Sequence, residues 1–125
     1  MSQQTINTGS SANSKNGDPL RTAFTKVNAN FTELYSNYAT QLVTSSIYTA
    51  TTSDRYIGVN YAGPVTIVLP SATDGLQLTI KDESGRCALN PITLIGTIDN
   101  STSGAILTIN NGALTLIYRS GWRII

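Results

Sequence analysis

The side chains that most often move protons, attack carbonyls or hold metals are scarce: seven carboxylates, one cysteine and no histidine in 125 residues. Acid/base work by carboxylates needs two of them converging on one bond. The one adjacent pair, Asp82-Glu83, enters the turn Glu83-Ser84-Gly85-Arg86, where acids beside a glycine most simply solvate the turn. Asp54, Asp74 and Asp99 also stand in turn contexts. Cys87 has no histidine to activate it, which excludes a Cys/His nucleophile. It reads as a packed thiol beside a turn, without an intrachain disulfide. Metal-ligand spacing is absent, and the ten glycines stand singly at turns rather than as a phosphate cradle. The expectation is a protein that is not an enzyme, with no catalytic residue, no metal and no cofactor.

Aromatic rings are the other candidates. Tyr48, Tyr56 and Tyr61 could stack on a sugar ring if exposed beside Asn or Asp. The simpler reading is cross-strand packing. Trp122 reads as a core anchor. Net charge is +1 and the eight Lys/Arg are scattered, so no nucleic-acid partner is expected. No apolar run approaches the ~20 residues of a membrane span, and the opening residues lack the apolar stretch of a secretory signal. Charged residues are 12% of the chain, against about 25% in ordinary domains. Ser, Thr and Asn fill about a third of it, which suits a β-rich protein with a neutral, hydroxyl-covered surface.

The elements that would carry such groups fall into three segments: a polar leader over 1–17, an amphipathic oligomerisation helix over 18–43 and a β knob over 44–125. In the leader, Ile6 and Ala12 are the apolar residues beyond Met1. Too little surface can be buried there to offset ordering entropy. The leader is therefore expected to be disordered or laid along a partner as an anchor, and dispensable for folding. Asp18 is placed as the helix N-cap, and Pro19 at the first helical position. Leu20, Phe24, Val27, Phe31, Leu34 and Tyr38 follow at spacings of 4, 3, 4, 3 and 4, a heptad seam of nearly three repeats. An isolated helix of this length is marginal in water, so it must pack on other copies or on its own β domain. The seam alone does not fix how many copies.

From Ile47 the period becomes two. Strands are expected over 47–52, 55–60, 64–69, 76–82, 91–98, 105–109, 113–119 and 122–125. Asn111-Gly112 is the strongest short hairpin signal, and Ser120-Gly121, Glu83–Arg86 and Ser101–Gly104 supply further turns. Gly58, inside a strand pattern, suggests a bulge or a close approach. Strands apolar on both faces, such as Thr66–Pro70 and Leu114–Tyr118, require either two facing sheets or a second subunit. The fold class expected is mainly β with one N-terminal helix, the knob a small antiparallel β-sandwich or β-prism-like domain.

The segment Ile6–Tyr35, with Gly17-Asp18-Pro19-Leu20-Arg21 followed by Ala23, Phe24, Lys26, Asn28, Asn30, Phe31, Glu33, Leu34 and Tyr35, resembles a segment recurring in virion structural proteins of tailed bacteriophages. There it often precedes fibre, spike or baseplate-associated regions. Tyr56–Pro70, Leu78–Gly85, Asn90–Gly96 and Asn110–Ile125 are similar to small β domains of the same class. The resemblance implies a structural protein of the virion, assembled in the host cytoplasm and trimeric through its helices. Its partners would be copies of itself and other virion proteins. A short fibre or adaptor anchored to tail, baseplate or neck fits it. So do a capsid-surface decoration or head fibre, and a receptor- or glycan-binding knob.

Overall fold

Among the described residues, the period-two runs from Ile47 onward resolve into eight short strands, with a ninth just before them. The computed structural model describes residues 3–36 and 39–125, and the chain divides after residue 37 into two units. The first holds the leader and helix α1 (Leu20–Ser36). The second holds β1 (Thr40–Val43), β2 (Ile47–Thr49), β3 (Tyr56–Val59), β4 (Val65–Val68), β5 (Gln77–Asp82), β6 (Ile92–Ile95), β7 (Ala105–Leu107), β8 (Ala113–Tyr118) and β9 (Trp122–Ile124). The chain is mostly β with a single helix among the described residues.

The strands form two mixed sheets. One runs β1-β3-β5-β8-β9, the other β2-β4-β6-β7. Consecutive strands β1 to β6 alternate between the sheets, so each sheet grows by parallel pairing. Ile57 stands opposite Gln41 and Ile80 in one, and Ile67 opposite Tyr48 and Leu94 in the other. Antiparallel pairing enters only with β7, β8 and β9. The all-antiparallel expectation is thus corrected. Parallel neighbours need a long crossover, normally a helix; here a strand of the opposite sheet fills that place. Asn111-Gly112 makes a tight turn, with Gly112 N–H donating to Ile109 C=O at 2.8 Å and Asn111 at φ 57°. It is not a hairpin: it carries the chain from β7 in one sheet to β8 in the other. Ser120-Gly121 does close a hairpin, β8–β9.

Alternation sets which side chains enter the core. In β4, Val65 and Ile67 are buried while Thr66 and Val68 are partly exposed; in β5, Leu78 and Ile80 are buried while Thr79 and Lys81 are partly exposed. One cluster joins Val43, Ile57, Val59, Leu78, Ile80 and Leu116 from the larger sheet with Val65, Ile67, Ile92, Leu94 and Leu107 from the smaller. Trp122, 3% exposed, anchors it: its indole N–H donates to Pro70 C=O at 3.0 Å and its ring meets Tyr118 edge-on. Gly58 is a close approach and not a bulge. The register of β3 is regular there, and the Glu83 carboxylate lies where a Cβ would stand.

The helix stops at Ser36, short of residue 43. Thr40–Val43 pairs with β3 instead, and its β-branched Thr and Val suit a strand. Helix propensity and periodicity both fade over Ala39–Val43, and the tertiary partner decides.

Candidate functional site

The residues that carry the resemblance sort into two stripes on α1. The seam stripe is open. Leu20 is 73% exposed, Phe24 58%, Phe31 55% and Leu34 51%, with Val27 half-buried. Tyr38 lies outside the described residues. The second stripe runs one residue behind each seam position: Ala23, Lys26, Asn30 and Glu33, all partly buried. From this stripe, Lys26 and Asn30 hold the leader.

The holding is polar and directed at the leader's backbone. Asn30 binds Gln4 twice: its carbonyl oxygen accepts from Gln4 N–H, and its amide donates to Gln4 C=O, both at 2.9 Å. Lys26 Nζ donates to Thr5 C=O at 3.0 Å and pairs with Asp18 at 2.5 Å. Asp18 closes the loop behind. Its carboxylate accepts from Asn7 N–H at 2.9 Å, and its own N–H donates to Asn7 C=O at 2.7 Å. Gly17 is required at that closure, because a Cβ would meet Asn7 O at 2.9 Å and Gly9 N at 3.1 Å. Inside the loop, Asn16 binds Ser10 N–H and the Ser14 hydroxyl. The bond from Lys26, then that from Asn7, hold the Asp18 carboxyl below its ordinary value.

Two expectations change here. The leader, expected to be disordered or laid along a partner, has its backbone bonded to its own helix. Composition predicts disorder because few apolar groups are available; side-chain-to-backbone bonds between residues more than twenty apart leave no compositional trace. Asp18, expected as a cap over the first turn, instead turns its carboxylate, among the described residues, to Asn7 and Lys26. The first helical bond runs from Ala23 N–H to Pro19 C=O at 2.9 Å. Pro19 immediately precedes the helix rather than opening it.

No family model matches the chain, and no curated protein does.

In the β unit the acid pair splits. Asp82, 1% exposed, points inward and accepts from Ser84 N–H, Ser84 hydroxyl, Gly85 N–H, Cys87 N–H and Asn111 N–H at 2.7–3.1 Å. Burial pushes its pKa up, but the bonds from Ser84, Asn111 and Cys87 outweigh this and leave it below the usual 3.8. Glu83 points outward and accepts the Tyr56 hydroxyl at 2.6 Å. The two carboxylates do not converge on a common point. Cys87 is buried, its thiol donating to Leu107 C=O at 2.6 Å, and burial raises its pKa.

The three tyrosines go to three places. Tyr48 donates to the buried Asp54 carboxylate at 3.0 Å, an oxygen that also accepts Thr51 N–H at 2.8 Å. Burial, then Asp54, raise the Tyr48 pKa. Tyr56 is tied to Glu83, whose hydrogen bond raises its pKa. Tyr61 packs against the core and Gly63. An open cleft of about 220 Å³ lies instead beside Pro70, Ser71, Thr97, Tyr118 and Trp122. Its lining offers hydroxyls and ring edges but no acid, base or thiol. The helix seam, by contrast, is an open row of large apolar side chains.

Proposed function

We propose that the chain is a non-enzymatic structural component of a tailed-bacteriophage virion, a short trimeric fibre or adaptor whose N-terminal unit docks it and whose β unit projects as a knob. The observation that carries this is the open heptad seam, on a helix whose sequence resembles the virion segment. A helix of 17 residues does not stand alone in water, yet this one points Leu20, Phe24, Phe31 and Leu34 outward. Their exposed portions equal more than two whole side chains. At 1.5–3 kcal/mol per fully buried side chain, covering them contributes about 4–7 kcal/mol per chain.

Three copies joined along this seam give a helix bundle in which the leader, clamped one stripe away, runs on the outside. There it meets another virion protein. The two sheets, sharing one core, form a two-layer sandwich-like knob. A carboxylate pair that fails to converge and tyrosines committed to Asp54 and Glu83 support a structural role over a catalytic or glycan-stacking one.

Peptide mass spectrometry of purified particles from the phage encoding the chain tests this. The chain should be present in every preparation, at a copy number divisible by three relative to the major capsid protein. Its absence from particles, with abundant free protein in the lysate, would overturn the proposal.

A further inference from the structure

The two sheets turn different outer faces to their surroundings. The larger sheet shows Lys81 and Arg123, with Glu83 laid over Gly58. The four-stranded sheet shows no charge. Its register aligns Ile47, Thr66, Thr93 and Ile106 in one row across all four strands, and Thr49, Val68 and Ile95 in the next. Each alternates with core residues such as Ile67 and Leu94, so all seven point outward. Ile47 is 61% exposed, Ile95 51% and Ile106 62%.

We infer that this face is a second self-association surface, on which the β units of copies already joined by their helices pack together. The inference rests on the helix-seam reading. Three observations select a copy of this chain as the occupant. The face comprises these seven residues, far short of the ~20–30 per partner of a standard interface. It is too small to hold a free partner, whereas a chain tethered through its helix presents its own face at an effective concentration in the millimolar range. The face is also neutral at every position, so pairing it with itself brings no like charges together, as Lys81 or Arg123 would on the other sheet. Finally, every side chain in the two rows is β-branched. Such side chains are stiff at χ1, lose little rotamer freedom on burial and form flat surfaces that stack well.

The test uses the full chain and two variants, Ile95→Glu/Ile106→Glu and Ile95→Thr/Ile106→Thr, with Gln77→Glu on the opposite sheet as control. Positions 95 and 106 are exposed in the single chain, so its fold should survive, as far-ultraviolet circular dichroism would check. In sedimentation equilibrium, the Glu pair should raise the concentration of half-assembly at least about tenfold, since each copy would bury unpaired carboxylates. The Thr pair should raise it less, and Gln77→Glu should leave it unchanged. If the wild-type chain assembles and the Glu pair assembles equally well, this inference falls while the helix reading stands, and the face belongs to a different molecule. If the wild-type chain is monomeric, the helix reading falls and takes this one with it.

Discussion

Asp82 acts through its position between two loops. Five donors from Ser84, Gly85, Cys87 and Asn111 converge on it, so one buried carboxylate fixes both the Glu83–Arg86 turn and the crossing from β7 to β8. Removing it leaves the buried Cys87 N–H and three part-buried N–H groups without this acceptor. Asp82→Ala should therefore cost about 3 kcal/mol or more of stability, read as a lowered urea midpoint at unchanged slope. Glu83→Ala, which releases only the Tyr56 hydroxyl, should cost less than about 1 kcal/mol. The pH dependence follows from the sign of the shift. The folded pKa lies below the usual 3.8, so the contribution is complete above the carboxylate range and is lost as pH falls through the folded value. Asp18 is shifted the same way by Lys26 and Asn7, so acid should also loosen the leader. A midpoint that rises on acidification from pH 5 to pH 3 would contradict both assignments.

Among the elements, α1 was legible as a helix because its apolar spacing is regular, and each of the eight strands marked by period-two runs falls inside its expected range. Partnership was not legible. Short strands joined by turn residues read as hairpins, and nothing in Val65-Thr66-Ile67-Val68 says that its neighbours are Tyr48 and Leu94 rather than the next strand along. Nor could Lys26 and Asn30 be read as clamps on Thr5 and Gln4, since polar residues beside a seam usually face water. The seam carries its own test. Phe31→Asp places a charge mid-seam, where burial without a partner costs several kcal/mol per chain. Phe31 is 55% exposed within the chain, so the variant should fold but fail to assemble in size-exclusion chromatography. Thr32→Asp, one residue off the seam, should assemble normally. Equal behaviour of the two would show that the heptad face is misassigned.

At the scale of the whole molecule, the helix seam and the outer face of the four-stranded sheet are both open apolar surfaces. Polar groups of the leader clamp and around Asp82 are engaged in contacts within the chain. A stable monomer rarely leaves both a helix stripe and a sheet face of this kind uncovered. The central claim is that copies of the chain cover the seam for one another. Multi-angle light scattering on the purified chain at low micromolar concentration addresses it most directly. The account predicts three times the 13.3 kDa chain mass, about 40 kDa, independent of dilution over that range. A single species at 13.3 kDa would contradict it.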